Sequence, residues 1–234
     1  MKYMGSKRRF AKHMLPIILK DRKPDQWYVE PFVGGANVID KVKGLRRAND
    51  INHYLIAMYK ALQDGWVPPR NVTEEMYNDV RAHKRNFPPE LVGYIGFSLS
   101  YGGKWFGGYR RDSIGLRNYS LEAYNDVMKQ VPLIKDIIFE EGDYSDMYIP
   151  PNSIIYCDPP YRSTTGYKNR FNHGRYWNWV RDMCKQGHQV FASEYEAPDD
   201  FKCVWSKETT NSLTKDTGAK KGIEKLFVWG NTCD

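Results

Sequence analysis

The sequence predicts an α/β fold: a mixed sheet of about seven strands with helices on both faces. Three observations carry this. Short apolar runs of β character, above all Ile154-Ile155-Tyr156-Cys157, alternate with stretches of helical periodicity. Residues 27–42 read as one strand, glycine loop and helix unit. The last two apolar runs, Lys202-Cys203-Val204-Trp205 and Glu224-Lys225-Leu226-Phe227-Val228-Trp229, suit a hairpin, which makes the sheet mixed rather than purely parallel.

Taken in order, a turn at Tyr3, Gly5, Ser6 and Lys7 leads into a helix over 8–20, weakened by Pro16. A small-residue turn followed by lysine can hold an anion, although composition alone favours a solvated basic segment. Trp27 to Glu30 is a strand, Pro31-Phe32-Val33-Gly34-Gly35 a tight loop, and residues 36–42 a helix. Glycines let backbone approach a ligand, and a helix start offers free N–H groups. A second strand at 45–48 ends at Asn49-Asp50-Ile51-Asn52, followed by a helix over 52–62. Asp50 either starts that helix or meets a ribose. The ribose reading is preferred, because an acid about 20 residues beyond a glycine loop commonly does so in nucleotide-binding units.

From 65 to 120 the rhythm breaks. Helical patterns at 73–86 and 91–99 flank Tyr101-Gly102-Gly103-Lys104-Trp105-Phe106-Gly107-Gly108-Tyr109-Arg110-Arg111. Such a segment can meet phosphates, wedge at bases and read base edges, or it is a hairpin whose aromatics cover the core. A helix at 121–131 and a strand at 137–139 return the chain to the sheet and end near Asp143 and Tyr144. After the central strand, residues 162–175 are polar, basic and glycine-punctuated, which predicts a mobile loop. A helix at 176–185, a strand at 189–193 and the terminal hairpin complete the chain, with Lys215, Lys220 and Lys221 in the connection.

The central strand runs straight into Asp158-Pro159-Pro160-Tyr161, where two prolines remove backbone donors and fix φ. Ligands of open α/β sheets bind just beyond the carboxyl ends of strands. A rigid acid, carbonyl and aromatic there suit methyl transfer to an amino group whose lone pair is delocalised. Asp158 and the Pro159 carbonyl could accept its hydrogens and aim the lone pair, with Tyr161 stacking on the ring. An Asp-Pro turn alone would more often be structural, and the added proline and tyrosine reverse that balance.

These residues resemble the catalytic motif of amino-directed methyltransferases that use S-adenosylmethionine, and the chain as a whole resembles the DNA adenine methyltransferase (Dam-like, D12 class) family. The resemblance rests on order: lysine turn, glycine loop, insert, Asp-Pro-Pro-Tyr. It implies a Rossmann-like methyltransferase fold, with a catalytic domain over 1–64 and 121–234 and a target-recognition insert over 65–120. It implies S-adenosylmethionine held by Tyr3, Lys7, Glu30, Pro31, Phe32, Gly34, Gly35, Asp50, Ile51, Asp143, Tyr144 and Asp158. The implied reaction is methylation of the N6 amino group of a flipped-out adenine in double-stranded DNA, with Asp158, Pro159, Pro160 and Tyr161 catalytic. Lys104, Trp105, Phe106, Tyr109, Arg110, Arg111, Lys220 and Lys221 would meet the DNA. The sequence departs from the family at Met4-Gly5-Ser6, where Ala-Gly-Gly is usual. Other acceptors (cytosine N4, RNA adenine, protein glutamine) and an inert nucleic-acid-binding protein of the same fold are the alternatives, and a cognate restriction enzyme is a further partner the resemblance allows.

Composition agrees with a nucleic-acid partner: net charge +7 and 15% aromatic residues. Cys157, Cys184, Cys203 and Cys233 lie apart without metal-ligand spacing, so reduced thiols and no metal site are expected. Without an apolar leader or membrane-length run, the reading is a soluble cytoplasmic protein.

Overall fold

The computed structural model describes residues 1–112, 114–161, 171–210 and 221–230. Seven strands form a mixed sheet of order β3-β2-β1-β4-β5-β7-β6. The strands are β1 (Tyr28–Glu30), β2 (Arg46–Asp50), β3 (Ile137–Glu141), β4 (Ile154–Cys157), β5 (Gln189–Glu194), β6 (Phe201–Thr210) and β7 (Lys221–Trp229). The chain divides into two compact units, Met1–Lys12 with Phe32–Met147, and His13–Pro31 with Tyr148–Asp234.

In the first unit β2 and β3 pair in parallel, with Asp50 opposite Glu141. Helix α2 (His53–Gln63) starts at Asn52, whose side chain accepts the Leu55 N–H, and it buries Leu55, Ile56, Met58, Tyr59 and Leu62. It packs closely on α4 (Pro89–Ser98): a Cβ at Gly93 would stand 2.1 Å from the Tyr54 carbonyl oxygen, so only glycine fits there. Helix α3 (Glu74–Ala82) is capped by Thr73, and α5 (Tyr119–Ile134) by Asn118. The helix expected over 36–42 is absent. A single 3-10 turn, Ile39–Lys41, stands there, with no side-chain cap and with Ala36 in the left-handed region at φ 52°. β-branched Val38, Ile39 and Val42 and the turn at Gly44 (φ 79°) give an α-helix little to propagate on.

In the second unit β1 and β4 are parallel neighbours, with Tyr28 opposite Ile154. β4 continues in parallel to β5. β7 runs antiparallel to both β5 and β6, which is the expected terminal hairpin. Every residue of β4 is buried, as its unbroken apolar run requires. Helix α1 (Ala11–Ile18) contains Pro16, and α6 (His173–Lys185) is capped by Asn172. The 162–170 part of the loop expected to be mobile lies outside the described residues.

Candidate active site

The first unit gathers most of the residues expected at the cofactor. The ends of β2 and β3 are tied together, because the Gly142 N–H donates to the Asp50 carbonyl (3.2 Å) and Asn49 Nδ2 to the Gly142 carbonyl (2.9 Å). Asp50 and Asp143 therefore end adjacent strands side by side. Asp50 Oδ2 accepts the Gly34 N–H (3.0 Å) and its Oδ1 the Asn52 N–H (2.9 Å), so the acid locks the glycine loop to the start of α2. Burial pushes the Asp50 carboxyl up, and the Asn52 and Gly34 N–H bonds pull against that shift. Each oxygen keeps a lone pair beyond these bonds. Asp143 Oδ1 accepts from the Ser145 backbone (3.0 Å) and hydroxyl (2.7 Å). Phe32 and Tyr144 form a ring wall, centroids 5.0 Å apart. Ile51 is 75% exposed.

Tyr3 lies against the glycine loop. A Cβ on Gly34 would come within 2.7 Å of its ring, and one on Gly35 within 2.6 Å of its Cβ. The same residue is wedged on the far side by Gly103: the Met4 N–H donates to the Gly103 carbonyl (3.1 Å), and a Cβ at Gly103 would meet Tyr3 backbone at 2.7 Å. Lys7 is buried, its ammonium donating to the Gly5 carbonyl at 3.1 Å. Two brace residues escaped the sequence reading. Tyr59 donates its hydroxyl to the Gly34 carbonyl (2.7 Å), and Gln130 Nε2 donates to the carbonyls of Gly35 (3.1 Å) and Ala36 (3.2 Å). Their only signal is a polar atom on the buried face of a helix.

The segment 101–111 is not a full hairpin: a 3-10 turn, Tyr101–Gly103, is followed by one antiparallel bridge, Ser100 to Tyr109. Trp105 and Phe106 are half-buried against α4, where a Cβ on Gly96 would strike the Trp105 ring at 2.3 Å. Trp105 also stacks near Phe97 (4.7 Å) and Tyr54 (5.6 Å). Arg110 is not available to a base edge. It is buried, paired with Glu122 at 3.2 Å, and lies over the Tyr119 ring at 4.3 Å. Tyr109 gives its hydroxyl to the Val72 carbonyl (2.6 Å). Lys104 and Arg111 are exposed, the latter paired with Glu74. Lys220 lies outside the described residues, and Lys221 is described only as the backbone that opens β7.

The second unit holds the Asp-Pro-Pro-Tyr turn. Strand order reverses between β1 and β4, the place where ligands of open α/β sheets collect at the carboxyl ends. β1 ends there in Glu30 and Pro31, and β4 runs into Asp158. Glu30 is buried and accepts the Tyr28 hydroxyl at 2.9 Å. Asp158 is half-buried. Tyr161 is buried, meets Tyr195 edge to face (4.7 Å, 80°), and donates its hydroxyl to Glu224 Oε2 at 2.9 Å. Tyr156, behind it, shares a 2.8 Å bond with the Ser193 hydroxyl. Burial, and then the carboxylates of Asp158 and Glu224, hold the Tyr161 phenol well above its ordinary value, so it stays a neutral donor.

The chain is thus an α/β protein with a glycine loop, acids at neighbouring strand ends, and an acid-proline-proline-tyrosine turn where strand order reverses. Residues 3–98 match the model of the D12 class N6 adenine-specific DNA methyltransferase family. The chain is similar to the modification methylase StsI of Streptococcus sanguinis, 27% identical with 97% of this chain aligned. It spans 39% of that relative's length. Among solved structures it is similar to that of SMU.472 complexed with SAH, at 12% identity and a TM-score of 0.38, over 97% of this chain and 54% of that one.

Proposed function

We propose that the protein transfers a methyl group from S-adenosylmethionine to the N6 amino group of adenine in double-stranded DNA. The observation that carries the reading is the Asp158-Pro159-Pro160-Tyr161 turn directly after β4, next to the reversal of strand order. The family match over residues 3–98 adds the acceptor class, although it ends before this turn. Residues of the first unit fit a nucleoside-bearing cofactor. Gly34 and Gly35 let Tyr3 close on the loop, Asp50 retains acceptor capacity for a ribose hydroxyl pair, Asp143 at the neighbouring strand end suits a purine amino group, and Phe32 with Tyr144 offers an apolar wall. When bound, that cofactor supplies an electrophilic methyl.

The chain's own part is orientation. An exocyclic amine conjugated with its ring is a weak nucleophile. Asp158 and the Pro159 carbonyl accept its two N–H bonds and draw the nitrogen toward tetrahedral geometry, and Tyr161 supports the base. The amino group lies within a base pair, so the adenine must first leave the stack. Arg111 and Lys104 are the exposed cations that meet DNA in this reading, and residues 65–120 form the recognition insert. The test is transfer of labelled methyl from S-adenosylmethionine to duplex DNA, followed by nucleoside digestion. N6-methyldeoxyadenosine is expected. Label in cytosine, in RNA alone or in protein would overturn the acceptor, and no binding of S-adenosylmethionine would overturn the reaction.

A further inference from the structure

We propose that Glu224 is a positioning residue for the target base, acting through Tyr161; this rests on the function proposed above. Tyr161 ends the turn, and its ring is the surface on which the acceptor's ring lies in that reading. Among its contacts in the second unit are the hydroxyl bond to Glu224 Oε2 at 2.9 Å and the edge-to-face contact with Tyr195 at 4.7 Å. Edge-to-face packing on Tyr195 resists sliding of the ring more than it resists tilt. A hydroxyl bond at the far end of a long side chain sets that tilt.

Glu224 is placed for this by the hairpin. It lies on β7 opposite Lys207 of β6, and the adjacent Lys225 pairs with Glu194 at the end of β5. The acceptor is therefore held by strands on both sides rather than by a loop. A buried phenol hydroxyl that loses its partner must find another or accept the cost of having none, and it does either by moving the ring. Glu224 need not touch substrate to matter.

The experiment uses the full chain with Glu224→Ala, Glu224→Gln, Tyr161→Phe and the Glu224→Ala/Tyr161→Phe pair. Turnover on duplex DNA and the cofactor KM are measured, with 3-fluorotyrosine at position 161 for fluorine resonance. Glu224→Ala is expected to lower kcat on the order of tenfold with the cofactor KM unchanged, and Glu224→Gln, which keeps an oxygen acceptor, to restore most of it. In the Tyr161→Phe background Glu224→Ala should add nothing. The fluorine resonance should shift or broaden in the alanine variant alone. Additive losses, equal loss in Glu224→Gln, or an unmoved resonance overturn the proposal. Wild-type protein that leaves adenine unmethylated overturns the reaction instead, and the fluorine signal still decides whether Glu224 orients Tyr161. Should Glu224→Ala fail to fold, Glu224→Leu, which fills the site without an acceptor, decides by the same two readouts: kcat lowered and the resonance moved uphold the proposal, and either one kept at wild type overturns it.

Discussion

At the scale of single residues, the acid at the end of β4 and the arginine pair of the insert make opposite demands. In the proposed reaction Asp158 accepts from the amino group, so Asp158→Ala should cost about 2 to 4 kcal/mol of barrier while leaving the fold intact. Turnover by a folded variant within a few fold of wild type would remove Asp158 from the chemistry. Arg110 and Arg111 are neighbours in sequence but not in role. Arg110→Ala leaves the half-buried Glu122 without its inner partner and strips the Tyr119 ring of a cation, so about 1 to 3 kcal/mol of stability should go, with site preference unchanged. Arg111→Ala should leave the melting temperature alone and act, if anywhere, on DNA affinity or preference. Thermal melts beside methylation profiles on a randomised DNA library separate the two.

At the scale of elements, the hairpin is anchored by one acid. Asp200 accepts two bonds from Arg181 of α6, both at 2.7 Å, and one from the Trp229 indole at 2.9 Å. The Arg181 bonds, and then the indole, draw its carboxyl down to about 2. A carboxyl depressed in the folded state contributes stability that is complete above its ordinary value and lost as pH falls toward the depressed one. Melting of wild type and Asp200→Asn should thus differ at neutral pH and converge between about pH 4 and 2, by no more than about 1 kcal/mol because the side chain is partly exposed. A difference that persists at pH 2 would contradict this. Elements with one clear period were legible in the sequence: β4, α2, and the β6 and β7 pair all stand where their patterns put them. The 36–42 helix was not, because helical spacing of apolar residues cannot register that Ala36 enters the left-handed region at φ 52°. The burial of Arg110 was not legible, because it depends on partners such as Glu122, which sequence distance hides. The position of Asp50 at the end of β2 was legible, but its two backbone bonds depend on how Gly34 and Asn52 fold around it.

At the scale of the molecule, net charge +7 sets how a polyanion is met. Affinity for duplex DNA should fall linearly on a log-log plot as salt rises, with a slope of about −0.9 for each phosphate neutralised. Exposed Arg111 and Lys104 should each account for about one unit of that slope on replacement, and buried Arg110 for none. Binding indifferent to salt would point to a different partner. Among the described residues no helix is long and apolar enough to cross a membrane.

Tyr3 touches the glycine loop with one side and Gly103 with the other, and neither contact leaves slack for even a methyl group. Two ligands that each settle one of those surfaces would therefore share a single mechanical element, and thermodynamics makes the sharing reciprocal. Whatever factor cofactor adds to DNA affinity, DNA must add to cofactor affinity. Calorimetric titration of each ligand with and without the other should return the same coupling from both directions. In Gly103→Ala, where Tyr3 is forced to shift, that coupling should shrink while each affinity measured alone changes less.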